Sequence, residues 1–456
     1  MIASTNPATG EVVARFDAYA DTRIDKALDQ ACVAQRAWRK RSLRARVALL
    51  TAVAALLRDR KSRYAAIITL EMGKPLAEAE AEVEKCALNC VYYAENAERF
   101  VGDETALVNG SSSKVVFDPL GLVLAVMPWN YPLWQVMRFA APAIAAGNGV
   151  VLKHASNVPQ CALLLEEAFR DAGAPAGLFV TLLVESSRVK SLIEDPRIAA
   201  VTVTGSTPVG KLVAAQAGAV LKKQVLELGG SDPFIVLADA DIESAAKVAV
   251  KARFQNAGQS CICAKRFIVE DSVADRFVEA LHAHVAALRV GDPTLRTTDM
   301  GPMARGDLRA ELHDQVERTL AQGATLLAGG RLLDGAGAFY APTLIDHVAP
   351  GMAVGAEETF GPVAAVLRVK GPEEAIALAN ATEYGLGAAL WTSDLQRADR
   401  LLREIDAGAV FVNGLVASDP RLPFGGLKQS GYGRELGSYG IREFTNIKTV
   451  WVASAR

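Results

Sequence analysis

Residues 254–267 read FQNAGQSCICAKRF, setting two thiols two positions apart behind a Gly-Gln-Ser turn. A sulfur in such a place can ligate a metal, close a disulfide, attack a carbon centre or fill a core, and its partners decide among these. The histidines (154, 282, 284, 313 and 347) form no cluster with zinc-like spacing, which argues against a metal clamp. His282 and His284, two apart on an expected helix, face different ways. Cys86 and Cys90 share a helix face and read as small apolar filling. Cys261 lies between Gln259-Ser260 and Lys265-Arg266, where backbone N–H groups and cations favour a thiolate. A lone cysteine is still more often core than nucleophile, so these residues alone leave both readings open.

Two carboxylates narrow the choice. Glu227 interrupts the apolar run VLELGG and Glu358 sits in EETFGPV beside a Gly-Pro turn. An acid in such surroundings is costly unless paired or employed. The stretch TGSTPVG (204–210) reads as a strand-to-helix turn that offers backbone N–H groups to an anion, or equally as a helix capped by Ser206 or Thr207. Lys153 closes the apolar run GVVLK, where its ammonium either reaches a ribose or phosphate or runs out to solvent.

The elements that must position these groups are legible as a change of period. From Ile24 to Phe100 apolar residues recur every three or four positions, which predicts amphipathic helices broken at EMGKP (71–75). Beyond that, the runs LVLAVM, GVVLK, LFVTLLV, AAVTVTG and QVLELGG alternate with helical stretches, the pattern of a parallel sheet covered on both faces. The expected class is α/β, with a doubly wound domain over about residues 120–229 and a second α/β domain over 230–430, the latter with a looser Gly-rich segment near 325–340. Ligands bind beyond the carboxyl ends of strands in such sheets. MPWNYP, KHAS, TGSTPVG and ELGG all fall at those ends, so one crevice is expected to collect them.

Bulk properties exclude several partners. Across 456 residues, 49 Lys and Arg offset 51 Asp and Glu, so no net field favours nucleic acid or an anionic membrane. Six cysteines at irregular spacing are too few for a disulfide framework and suit a reducing cytoplasm. No window approaches the roughly 18 apolar residues of a membrane span, and the N-terminus has no signal-peptide pattern.

PWNYP at 128, KHAS at 153, TGSTPVG at 204, LELGG at 226, GQSC at 258, EETFGPV at 357 and PFGGLKQSGYGRE at 423 together resemble the aldehyde dehydrogenase superfamily, in its order and over essentially the whole chain. The resemblance implies oxidation of an aldehyde to an acid with NAD or NADP, through a thioester on cysteine. It makes Cys261 the nucleophile, Asn130 the side-chain donor to the oxyanion, and Glu227 the general base that activates water. It puts Glu358 on the nicotinamide ribose with Phe360 beside the ring, and Trp129, Lys153, Ser156, Gly205 and Ser206 on the adenosine and pyrophosphate side. It implies a Rossmann-like cofactor domain (1–104 and 120–229), a catalytic domain (230–430), and a small β oligomerisation element (105–119 and 431–456). Ser156 stands where NAD-preferring members often carry Glu, which removes a carboxylate that would repel a 2′-phosphate; NADP is therefore expected to be accepted.

Substrate is inferred from finer matches. Arg138 and Ser418 coincide with an arginine and a serine of succinate-semialdehyde dehydrogenases, where a guanidinium fork and a hydroxyl would bind a distal carboxylate; a helix salt bridge is the competing role for Arg138. Some of those enzymes also share the Cys-x-Cys pattern, which makes Cys263 a candidate redox partner of Cys261, against simple packing. By the same resemblance, SSKVVFDP and FTNIKTVWV are expected to join copies into a homodimer or homotetramer. Rival readings are a dehydrogenase of another aliphatic or aromatic aldehyde and, from a different class, a cysteine hydrolase, for which no histidine base stands in a compelling motif.

Overall fold

Why the motifs converge is visible in the strand order. A computed structural model of the chain describes residues 1–108 and 111–453. The five apolar runs form parallel strands, Leu122–Met127, Gly149–His154, Phe179–Thr181, Ile198–Thr204 and Lys223–Glu227. Across the sheet the order is fifth, fourth, first, second, third, with Gly431–Tyr432 added antiparallel beyond the fifth. The order reverses between the first and fourth strands, which opens a crevice at their carboxyl ends, where Trp129 and Gly205 follow.

The second sheet has seven strands, in the spatial order Thr325–Ala328, Thr343–Asp346, Val363–Val369, Ala264–Glu270, Asp232–Val236, Gly387–Trp391 and Ala409–Val412. All its pairings are parallel except that of Thr325–Ala328, an edge strand within the Gly-rich stretch that the sequence reads only as loose. The helix Ile242–Phe254 leads into the Cys261 loop, and its start is fixed by the Asp241 side chain accepting from Ser244 N at 3.1 Å.

The N-terminal periodicity resolves into Asp21–Trp38, Leu43–Asp59, Lys61–Met72 and Leu76–Val101. The break falls at Gly73, whose φ of 78° ends one helix in the left-handed region. Cys86 and Cys90 are fully buried in the last of these helices, as filling. A hairpin, Ile2–Thr5 with Val12–Phe16, precedes them and has no counterpart in the sequence reading.

The third sheet orders Thr445–Ala453, Ser111–Pro119 and Glu104–Ala106 side by side. The expected oligomerisation spans 105–119 and 431–456 thus need a correction. Gly431–Tyr432 pairs with Leu226 and Glu227 of the first sheet, and Gly437–Glu443 is a helix, so only the final strand joins this sheet. The physical reason is close approach: a Cβ on Gly431 would stand 2.0 Å from Leu226 O, a fit that only glycine permits. Residues 109–110 and 454–456 of those spans lie outside the described residues. No helix among the described residues is long and apolar enough to cross a membrane.

Candidate active site

The Gly-Gln-Ser turn owes its shape to three consecutive left-handed residues, Asn256, Ala257 and Gly258, at φ values of 53°, 51° and 71°. Asn tolerates this region, Ala does so at a cost of about 1 kcal/mol, and Gly without cost. Gly258 is also dictated by space, since a Cβ there would lie 2.3 Å from Gly361 O. Side chains hold the bend. Asn256 N donates to Glu78 Oε2 at 2.8 Å, Asn256 Nδ2 donates to Asn130 O at 2.8 Å, and Gln259 Oε1 accepts from Ala304 N at 2.9 Å. The loop thereby delivers Cys261 while tying its own backbone to the Asn130 turn.

Cys261 is half-buried and lies where two cavities meet. One, of about 580 Å³, runs past Trp129, Gly205, Ser206, Glu358 and Phe360; the other, of about 650 Å³, runs past Trp134, Arg138, Ser418 and Phe424. Gln135 lines both. A group bound in either cavity reaches the same sulfur from opposite sides. Burial pushes the Cys261 thiol up to about 12, while the charges of Arg138 and Lys265 pull it down, so the resting group is a thiol. Cys263 is fully buried, lines neither cavity, and like Cys261 is a free thiol.

Asn130 Nδ2 donates to Gln259 O at 3.1 Å. A primary amide carries two N–H bonds, so the second stays free for an oxygen at the sulfur. Glu227 ends its strand with 2 % of its surface exposed, and among the described residues neither carboxylate oxygen has a hydrogen-bond partner. Burial pushes its pKa well above the usual carboxylate range; Arg138 opposes this and Glu435 adds to it. Glu435 is itself raised by burial, against the pull of Arg138, with which it forms a buried ion pair. Glu227 does not line either cavity in this arrangement; a Cβ on Gly425 would stand 2.8 Å from its Oε1.

The smaller cavity fits a dinucleotide. Ser206 sits at the N-cap of Thr207–Ala219 without spending its side chain on the cap, and nothing lies within 4 Å of the place a Gly205 Cβ would occupy. Uncapped helix N–H groups beside open space form an anion cradle. Thr207 Oγ1 is otherwise engaged, donating to Gln429 O at 3.2 Å. Trp129 and Phe360 meet edge to face at 5.7 Å. Glu358 Oε1 accepts from Gly230 N at 3.0 Å and Lys265 Nζ at 3.1 Å, and the same ammonium donates to Cys261 O at 2.8 Å. Lys265 thus couples the Glu358 carboxylate to the backbone of Cys261. Lys153 and Ser156 stand at the end of the next strand and do not line this cavity; Lys153 is buried, Ser156 is exposed, and Lys153 Nζ donates to Ser186 Oγ at 3.4 Å.

The larger cavity brings Arg138 and Ser418 together, with partners the sequence reading did not supply. Arg138 pairs with Glu435, donates to Thr204 Oγ1 at 3.4 Å and stacks over Phe424 at 4.4 Å. Ser418 Oγ accepts from Lys85 Nζ at 2.8 Å and Trp134 Nε1 at 3.1 Å. Lys85, Trp134, Glu435 and Asn256 therefore belong to the site although sequence reasoning missed them, and Gln259 was read only as a neighbour of Cys261. Glu435 was legible in principle, as an acid closing PFGGLKQSGYGRE; Lys85 was not, being one cation on a long amphipathic helix.

Comparison with known proteins agrees with this geometry. The profile of the aldehyde dehydrogenase family matches residues 1–450. A probable succinate-semialdehyde dehydrogenase [NADP(+)] of Synechocystis sp. is 52 % identical over 452 residues, covering 99 % of this chain and 100 % of that one. Succinate-semialdehyde dehydrogenase [NADP(+)] 1 of Mycobacterium tuberculosis is 52 % identical over 455 residues, with the same coverage of 99 % and 100 %. The crystal structure of succinic semialdehyde dehydrogenase from Streptococcus pyogenes, in complex with NADP+, superposes with a TM-score of 0.97 at 38 % identity, covering 100 % of both chains. With a cysteine between two cavities, an amide donor beside it and a dinucleotide-shaped crevice behind it, the chain belongs to the aldehyde dehydrogenase family, whose members are NAD(P)-dependent oxidoreductases.

Proposed function

We propose that this enzyme oxidises succinate semialdehyde to succinate and prefers NADP+ to NAD+. The observation that carries the reading is the position of Cys261 between a dinucleotide crevice and a second cavity that ends in cationic and hydroxyl groups. The relatives named for that substrate and cofactor support it. The Cys261 thiol gives up its proton to water in the crevice, its thiolate attacks the aldehyde carbon, and the free N–H of Asn130 with the Cys261 backbone N–H receives the developing oxyanion. NADP+, when bound, supplies the hydride acceptor. Glu227, once deprotonated, takes the proton of the water that releases the acid from the sulfur. Trp129, Gly205, Ser206, Glu358 and Phe360 hold the dinucleotide, with Lys153 and Ser156 toward its adenosine end, where no carboxylate of the Ser156 position repels a 2′-phosphate. Arg138 and Ser418 face the distal carboxylate. The three-stranded sheet joins copies into a dimer or tetramer, and sparse free cysteines favour a cytoplasmic setting.

Steady-state kinetics with succinate semialdehyde, butanal and benzaldehyde against both cofactors test the proposal. The expected result is a kcat/KM for succinate semialdehyde with NADP+ at least about tenfold above every other combination. A higher value with an uncharged aldehyde removes the substrate reading, and a higher value with NAD+ removes the cofactor reading.

A further inference from the structure

The mechanism above leaves one buried cation beside the sulfur without a role. Lys265 is the second residue of the strand Ala264–Glu270, four positions after Cys261, and its side chain has no exposed surface. An ammonium carries three N–H bonds. Those of Lys265 meet three acceptors: Gly230 O, Cys261 O at 2.8 Å and Glu358 Oε1 at 3.1 Å. The acceptors come from three segments, the Gly-Gly turn that follows Glu227, the nucleophile loop, and the loop that carries Glu358 and Phe360. A buried ammonium is tolerated when a counter-charge and hydrogen bonds replace its water, and here both are supplied.

These contacts fix more than the lysine. Glu358 Oε1 also accepts from Gly230 N at 3.0 Å, so that oxygen is held from two sides. Among the described residues Oε2 has no hydrogen-bond partner, which leaves it as the free acceptor of a side chain that lines the dinucleotide cavity. A ribose hydroxyl is a donor suited to such an oxygen. Gly230 is pinned against the nucleophile loop, since a Cβ there would stand 2.7 Å from Cys261 O. The Cys261 carbonyl, the Glu358 carboxylate and the Gly230 peptide are thus held as one assembly around the ammonium. Its charge also reaches the sulfur. Burial raises the Cys261 thiol pKa most, Arg138 and then Lys265 lower it, and Asp232 and Glu358 add to the rise. Arg138 is matched by Glu435 in a pair with both side chains 2 % exposed, whereas Lys265 sits on the nucleophile's own peptide.

We infer that Lys265 is a positioning residue for the reaction: it holds Glu358 with one oxygen free for the cofactor ribose, and it keeps a positive charge on the peptide of the attacking sulfur. This rests on the roles proposed above for Cys261 and Glu358 and deepens them, because it ties the two into one unit.

A double-mutant cycle tests the first half. The dissociation constant of NADP+ is measured by calorimetry in the parent, Lys265→Met, Glu358→Gln and the double variant. Lys265→Met is expected to weaken binding at least about fivefold in the parent background and less than about twofold once Glu358 is replaced, since a residue that acts through Glu358 then has nothing to position. Equal losses in the two backgrounds overturn the assignment. A Glu358→Gln enzyme that binds NADP+ as the parent does removes the role of Glu358 and this inference together; a weakened Glu358→Gln enzyme in which Lys265→Met costs as much again removes only Lys265.

Thiol reactivity tests the second half, as the rate of Cys261 alkylation by iodoacetamide near pH 8 without cofactor, followed on its peptide by mass spectrometry. Lys265→Met is expected to react at least about threefold more slowly and Glu358→Gln at or above the parental rate, because the two charges act on the sulfur with opposite sign. An unchanged rate in Lys265→Met, or equal slowing in both variants, overturns the assignment. Should Lys265→Met fail to accumulate as folded protein, Lys265→Gln, which also lacks the charge, takes its place in both measurements.

Discussion

Glu227, Glu435 and Arg138 share one dry space, and the charges of Arg434 and Glu443 also reach it. Two carboxylates cannot both ionise there at low cost, so Glu227 stays protonated well above the ordinary carboxylate pKa. The sign of the pH dependence follows. In the proposed mechanism water activation needs the ionised form, so kcat is expected to rise as pH rises toward the folded-state pKa, by up to about tenfold per pH unit where that step limits turnover. The same raised pKa stabilises the fold fully below the unfolded value of about 4.3, and that contribution is lost as pH rises through the folded pKa. The expected outcome is a kcat climbing on the alkaline side while the thermal midpoint declines. A kcat already level at neutral pH and unchanged to about pH 10 would contradict this environment for Glu227. At this scale the sequence revealed the acid and its unusual setting in VLELGG, but not its neighbours, because Glu435 lies more than two hundred positions away and is brought near by the strand pairing of Gly431–Tyr432 and its bridge to Phe424.

At the scale of elements, the strand ends were legible because apolar runs closed by Gly or polar residues have few alternatives in a doubly wound sheet. The turn at 256–258 was half legible. Its glycine announced a bend, but three left-handed residues in succession and the locking role of Asn256 depend on contacts with Asn130 and Ala304 from other segments. Lys85 was not legible, since helical periodicity gives a face without saying what that face meets. The small sheet carries its own consequence. Thr445–Ala453 pairs on one side only, and Ile447, Trp451 and Val452 are 62 %, 57 % and 55 % exposed. An unprotected edge with apolar side chains favours pairing with another copy. Trp451→Lys is expected to weaken that association, seen by light scattering as a lower molar mass at micromolar concentration than the parent shows. An unchanged mass would place the subunit contact on another surface.

At the scale of the whole molecule, the active site exists because two sheets with separate cores are held against each other. The first sheet places Asn130, Gly205, Ser206 and Glu227 at or just beyond its carboxyl ends, and the second sheet contributes Cys261, Glu358 and Phe360 from loops. Gln259 bridges the halves through its backbone oxygen, which accepts from Asn130 Nδ2. The central claim is that the sulfur at 261 performs the chemistry and the acid at 227 completes it. Mass spectrometry of Glu227→Gln mixed with succinate semialdehyde and NADP+ tests this most directly, because removing the base should halt turnover after the acyl group has reached the sulfur. The account predicts a succinyl adduct on the peptide that carries Cys261, at up to one per chain and absent from Cys261→Ala. Full turnover without an adduct, or an acyl group mapped to any other residue, would contradict it.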